Sequence, residues 1–565
     1  MNQNCVQRII SEDYADFILQ NDQIPEILTS IPEFCYDIIN NTHAVAYLPI
    51  SKLPNDLIQK YSYSIFPKCY GLMDIQSLED TGITRIQNVP NLSLTGHGVL
   101  IGIIDTGIDY SHQAFRNSDG STKIISIWDQ TINNTSSIPM GFYYGTEYLQ
   151  DQIDLALKSA DPFAIVPSID NNGHGTFLAG IVAGTKNNAK KFSGVVPDSK
   201  IVVVKIKPAK QYLKSFFLIP PEVDCYQEND IMLGIRYLLE IAKKNSSPIS
   251  ICIGLGTSQG SHESRDALST YLTSIADHKG VGISVAAGNE GNSGHHYSAI
   301  VDEKIGYDTV ELKVGPNSKG FSMELWGNSP NIFSIDILSP TGQYVPRIPA
   351  RLKETREIKF IFESTKLFVD YELVEAQTGD ELILLRFQNP IEGVWRFRVY
   401  SNFNLEPKFH MWLPISDFLE KETYFLKPDP YYTLTTPGNS FIPITATAYN
   451  YVDKSLFESA SKGFTISNII NPDFAAPGVD MIGPESKNNY TVKSGTSISA
   501  AVTAGVVAMF LEWGIVKGNQ TQFDTLQIKR ILIRGAKRNP TITYPNKEWG
   551  YGILDVYNAF YSLRG

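Results

Sequence analysis

Lys493-Ser494-Gly495-Thr496-Ser497-Ile498-Ser499-Ala500-Ala501-Val502-Thr503-Ala504-Gly505-Val506-Val507-Ala508-Met509-Phe510 is a Gly-Thr turn that runs into small and apolar residues at helical spacing. The pattern predicts a buried helix with Ser497 at its start and the Ser497 hydroxyl facing a cleft. A serine at such a place is a candidate nucleophile. To attack a carbonyl it needs a base to take its proton and donors, including N–H groups at a helix N-terminus, to hold the anion that forms.

Two upstream stretches offer the base and its partner. Val99-Leu100-Ile101-Gly102-Ile103-Ile104-Asp105-Thr106-Gly107-Ile108-Asp109 is an apolar run of buried-strand type that ends in a carboxylate and a glycine turn. Asn172-Gly173-His174-Gly175-Thr176-Phe177-Leu178-Ala179-Gly180-Ile181-Val182-Ala183-Gly184 places a histidine between glycines at the head of another small-residue helix. Asp, His and Ser in that chain order form one of the convergent arrangements of the catalytic triad. Each motif alone has a plainer reading as a turn, a helix start or an N-cap. Together, with each residue on the element its role requires, they point to acyl transfer.

The three segments resemble the Asp-Thr-Gly, His-Gly-Thr and Gly-Thr-Ser signatures of subtilisin-like serine proteases, in the family's order. Val285-Ala286-Ala287-Gly288-Asn289-Glu290-Gly291 resembles the stretch that carries the family's oxyanion-hole asparagine. The resemblance implies Asp105, His174 and Ser497 as catalytic residues and Asn289 as the oxyanion donor. Gly254-Leu255-Gly256-Thr257 resembles the edge segment that pairs with an extended substrate. Leu255, Gly256 and Thr257, with Ala287 and Gly288, are therefore the expected substrate-binding residues.

Composition agrees with a globular protein of more than one domain: 565 residues, 42% hydrophobic and 19% charged. A net charge of −11 argues against nucleic acid or an anionic membrane as the main partner. Cys5, Cys35, Cys69, Cys225 and Cys252 are scattered and odd in number, so a disulfide framework is not expected. The N-terminus turns acidic before a long apolar core forms, unlike a secretory signal peptide, and no stretch reads as a membrane span. No cofactor is expected, and no metal: His295 and His296 are adjacent in a polar loop without ligand spacing and read as structural.

Strand and helix signals alternate from about residue 76 to 300, with strands at 99–104, 200–206, 249–253 and 281–285 and a helix over Asn229–Lys243. This predicts an α/β fold, a subtilisin-like parallel sheet with helices on both faces, whose ligands bind at the strands' C-terminal ends. Residues 301–436 switch to short, evenly spaced strands and read as an inserted all-β, jelly-roll-like domain, which braces the catalytic domain or holds a protein substrate. Residues 437–565 return to the catalytic domain. Residues 1–75 read as a small α+β unit, with a helix near Ser11 to Leu19, strands at Ala44–Leu48 and near Ile65–Phe66, and a helix around Asn55 to Tyr61.

In the family an α+β prodomain stands at this place, assists folding and passes its tail through the active site. The resemblance thus implies self-cleavage within about Pro67 to Ser77 and makes the chain's own prodomain a partner. A permanent accessory domain is the alternative. Ala501-Val502 stands where many family members have Pro-His. That departure, with the β insertion and the spacing Gly288-Asn289-Glu290-Gly291-Asn292-Ser293-Gly294-His295-His296, is most similar to the Csp germination proteases of clostridial spores. The implied activity is limited proteolysis that activates a spore cortex-lytic hydrolase zymogen during germination, and the implied location is the spore, in the cortex or coat region, with the cytoplasm as the alternative. Two other readings stay open: a catalytically silent scaffold on the same fold, and a general subtilisin-like peptidase.

Overall fold

The computed structural model describes residues 3–20, 35–54, 57–58, 62–72, 81–88, 92–352, 354–402 and 405–564. Its centre is an eight-stranded sheet in the order Phe474–Pro477, Ile444–Tyr449, Val281–Ala286, Ile249–Ile253, Leu100–Asp105, Lys200–Lys205, Ile124–Asp129, Thr146–Leu149. Every neighbouring pair is parallel except the last, where Thr146–Leu149 runs antiparallel to Ile124–Asp129.

The apolar runs are continuous because both faces of these strands are covered. Ile101, Ile103, Ile201 and Val203 point to one core, shared with the helices His174–Ala183 and Thr496–Leu511. Leu100, Ile104, Val202 and Val204 point to the other, shared with the helices Glu228–Lys244 and Ala267–Ala276. The strand period of two thus sorts one sequence run between two layers. The helix Thr496–Leu511 continues as one wider turn over Glu512–Val516. Over its 21 residues it is long and apolar enough to cross a membrane by length and composition, but 89% of its apolar window is buried in protein. A core helix crossed by a sheet and a second helix needs that same composition.

Residues 296–425 carry two antiparallel sheets. One has the order His296–Ile300, Lys408–Trp412, Gly320–Gly327, Glu381–Gln388, Lys366–Glu372, Glu354–Lys359, and the other Tyr344–Ile348, Phe333–Leu338, Gly393–Ser401, Tyr307–Val314, Tyr424–Phe425. A common apolar core that includes Met323, Leu312, Phe387 and Trp395 lies between them. Pairing begins at His296, ahead of the boundary expected at residue 301.

The N-terminal residues differ from expectation in two places. The stretch expected as a helix from Ser11 to Leu19 is the strand Tyr14–Gln20, preceded by the helix Gln3–Ile10. Ala15, Phe17 and Leu19 enter one core and Ile18 the other, an alternation that suits a strand buried on both sides. It pairs with His43–Pro49, which pairs in turn with Cys35–Ile38. The strand expected near Ile65–Phe66 is a short helical turn, Tyr63–Ile65, and extended pairing starts at Cys69. The helix expected around Asn55 to Tyr61 falls mostly outside the described residues, as does the cleavage span beyond Leu72. Cys35 is disulfide-bonded, whereas Cys69, Cys225 and Cys252 are free and buried.

Candidate active site

The parallel sheet delivers Asp105 at the C-terminal end of the strand Leu100–Asp105. His174 is the first residue of its helix because Gly173 takes the left-handed conformation, φ 85°, that turns the chain into it. Gly175 allows close approach: a Cβ there would stand 2.2 Å from the Gly107 carbonyl oxygen and 3.0 Å from the Asp105 Cβ. His174 Nδ1 lies 2.7 Å from Asp105 Oδ1. The same oxygen accepts from the Thr106 backbone N–H at 2.8 Å and the Thr106 hydroxyl at 3.2 Å. A carboxylate only accepts, so the imidazole proton sits on Nδ1 and Nε2 is the basic nitrogen.

Ser497 is the second residue of the helix Thr496–Leu511. A Cβ on Gly254 would stand 3.1 Å from the Ser497 Cβ and 3.2 Å from His174 Cε1, so the serine and histidine flank one point above that glycine. The Asn289 Oδ1 accepts from the Thr496 N–H at 3.2 Å and the Thr496 hydroxyl at 3.1 Å. Both partners donate, so the amide NH₂ is the end left for an oxyanion, beside the first turn of the Ser497 helix. The Gly288 N–H donates to the Thr496 hydroxyl at 3.0 Å, which ties the asparagine loop to the serine helix a second time.

Leu255–Gly256 is a short edge strand, and it is occupied. Cys69–Leu72 lies antiparallel to it, with Leu72 opposite Leu255 and Gly71 opposite Gly256, and pairs on its other side with Tyr226–Gln227. Asp105, His174 and Ser497 are all buried. Thr257 exchanges two backbone hydrogen bonds with Thr436, at 3.0 and 2.8 Å, and the Thr435 N–H donates to the Ala287 carbonyl at 3.0 Å. One strip, Thr435–Thr436, therefore fastens together the two segments expected to bind substrate, Leu255–Thr257 and Ala287–Gly288.

The profile of the subtilase family matches residues 96–310 and 426–552, more than half of the chain. The chain belongs to the subtilase family. The solved structure of the Clostridium perfringens CspB protease is similar, with 30% sequence identity and a TM-score of 0.77, over 86% of this subtilase and 98% of that chain. A C5a peptidase of Streptococcus pyogenes is 21% identical over 520 residues, 86% of this chain. A PII-type proteinase of Lacticaseibacillus paracasei is 21% identical over 540 residues. The subtilase spans 42% of the length of that C5a peptidase and 26% of that proteinase. It holds a subtilisin-like serine protease domain.

Sequence reasoning missed three supports of this subtilase site. Thr496 aims Asn289, and the signal was its place inside the Gly-Thr-Ser run. Asp170 caps the histidine helix, accepting from the Gly173 N–H at 2.8 Å, the Thr176 N–H at 2.9 Å and the Thr176 hydroxyl at 2.6 Å. Its spacing before the helix was the legible cue. The Thr435–Thr436 strip carried no local signal. His295 and His296, close in sequence, have separate partners: His295 Nδ1 meets Glu290 at 2.8 Å, and His296 Nε2 meets His410 Nδ1 at 2.9 Å.

Proposed function

We propose that this subtilase is a serine endopeptidase that first cuts its own chain just beyond Leu72 and then activates a spore cortex-lytic hydrolase zymogen by limited proteolysis during germination. The observation that carries the first step is the seating of Cys69–Leu72 along Leu255–Gly256, because extended pairing on a strand edge is how a peptide is presented to such a site. The next position along the edge is Gly254, which Ser497 and His174 flank. Similarity to the CspB protease supports the germination role and, with it, a place in the spore.

Ser497 Oγ attacks the carbonyl carbon while His174 Nε2 takes its proton. Asp105 holds the imidazole and balances the imidazolium. The Asn289 amide and the Ser497 N–H receive the negative oxygen, and His174 returns its proton to the leaving amine. Water then repeats the sequence on the acyl-enzyme.

The experiment is intact mass of the purified chain beside Ser497→Ala. The wild type is expected to split between residues 67 and 77 and the variant to stay whole. Wild type, and not the variant, is then expected to shorten a cortex-lytic zymogen. One observation favours a second reading, a silent scaffold: the triad is buried with the edge already filled. Wild type that stays at full length beside the variant would make the scaffold the better account.

A further inference from the structure

The residue after the oxyanion asparagine does not face the substrate walls. Glu290 is 4% exposed, and its carboxylate reaches out of the catalytic part into the β insertion. Oε1 accepts from the Ser416 backbone N–H at 3.0 Å, and Oε2 accepts from the Ser416 hydroxyl at 2.9 Å and from His295 Nδ1 at 2.8 Å. Burial pushes the carboxyl pKa up, but the His295 and Ser416 donors outweigh it and hold the group below the usual glutamate value. Ser416 opens a short turn, Ser416–Phe418. That turn is not loose: Ile415 and Phe418 pack, with Trp412, into the core that holds the histidine and serine helices.

The Asn289 loop is thus held from two directions. From the catalytic part, the Ser461 hydroxyl accepts from the Glu290 N–H at 2.9 Å, and the Ser459 carbonyl accepts from the Gly291 N–H at 2.9 Å. From the insertion, Ser416 grips the adjoining side chain directly, and Leu413 donates its N–H at 2.9 Å to the carbonyl of His295, the residue just ahead of the insertion that holds the same carboxylate. Asn289 sits between this grip and Thr496, and a shift of the loop by a fraction of an ångström moves its amide relative to the oxyanion.

We propose that Glu290 is a positioning residue through which the β insertion sets the aim of the Asn289 amide, so that turnover at Ser497 depends on a contact made outside the catalytic part. The inference rests on the self-cleavage reading above. Because the tail is tethered, the first-order rate of self-cleavage reads the chemical step without a binding term.

The test is that rate, by pulse-labelling and mass analysis of the full chain, in wild type, Glu290→Ala, Glu290→Gln, Asn289→Ala and the double variant Asn289→Ala/Glu290→Ala, with Ser497→Ala as the uncut control. Glu290→Ala is expected to slow cleavage at least about tenfold, since small misplacements of a positioned group cost this much or more. Glu290→Gln keeps an acceptor for Ser416 and turns a donor toward His295, whose tautomer can switch, so it is expected within about threefold of wild type. In the Asn289→Ala background, where the amide is gone, the added Glu290→Ala is expected to slow cleavage no further. Equal slowing in both backgrounds would reveal a general folding defect and overturn the proposal, as would a Glu290→Ala rate within twofold of wild type. A wild type that stays as whole as Ser497→Ala would instead refute the self-cleavage reading, and this inference with it.

Discussion

Replacing Thr496 by valine keeps the shape of the side chain and removes one hydroxyl that serves two neighbours. It donates to Asn289 Oδ1 at 3.1 Å and accepts from the Gly288 N–H at 3.0 Å. The second loss leaves a buried backbone donor unpaired, which costs about 1–3 kcal/mol of stability. The first removes one of the two donors that fix the amide, leaving the Thr496 N–H at 3.2 Å. A net hydrogen bond contributes about 0.5–1.5 kcal/mol, so the bias toward the productive amide orientation falls by a factor of roughly 2 to 13. Turnover should fall by that factor, well short of the 10²–10³-fold expected when Asn289 loses its amide altogether. The assay is the first-order self-cleavage rate beside a urea unfolding curve, with Thr496→Ser as the variant that keeps the hydroxyl. A valine variant that cleaves at the wild-type rate while the serine variant does the same would show that the hydroxyl does not aim the asparagine. A loss as large as that of Asn289→Ala would show that the backbone N–H contributes nothing.

Two further perturbations test the site and the scaffold. Asp105→Asn leaves an oxygen where three donors converge but removes the charge opposite the forming imidazolium, and self-cleavage should fall toward the ~10⁴-fold known for such triads; a drop below tenfold would remove Asp105 from the mechanism. Burial pushes the Glu381 carboxyl up to about 8 against the pull of the Phe333 N–H, and its Oε1 has no hydrogen-bond partner among the described residues. The folded state therefore holds that proton more tightly than the unfolded chain, and this contribution to stability is lost as pH rises from the ordinary carboxylate range through about 8. Calorimetric melting of wild type and Glu381→Gln should diverge as pH is raised, with the wild type losing more; parallel curves would refute the assignment.

The parts of the fold that were legible are those whose signal is local. The strand at Leu100–Asp105 announces itself because both faces are buried and every residue but Gly102 and the terminal aspartate is a large aliphatic. The candidate catalytic residues announce themselves because glycines must surround them: no other residue fits at Gly175 against the Gly107 carbonyl, or takes the Gly173 turn without strain. The strand at Tyr14–Gln20 was not legible as a strand, since Tyr-Ala-Asp-Phe-Ile-Leu-Gln carries apolar residues at both helical and alternating positions. Its tertiary partners decide between them.

Asp16 shows what such partners do and why no window of sequence reveals them. In the primary structure it is one acid in a mixed run. In the fold it is fully buried and paired with Lys210, and its other oxygen accepts from Gln227 and Asn229, each at 3.1 Å. The Tyr212 hydroxyl bridges the residue's own backbone, accepting from its N–H at 2.8 Å and donating to its carbonyl at 2.6 Å. These partners lie some two hundred residues away, and each satisfies a group that would be costly to bury alone. Glu290 repeats the pattern at the active site, where the residue after a recognisable motif draws its partner from residue 416. A motif specifies the atoms that react because their geometry is local. The contacts that hold those atoms in register cross from one part of the chain to another, and they become visible only when the chain is folded.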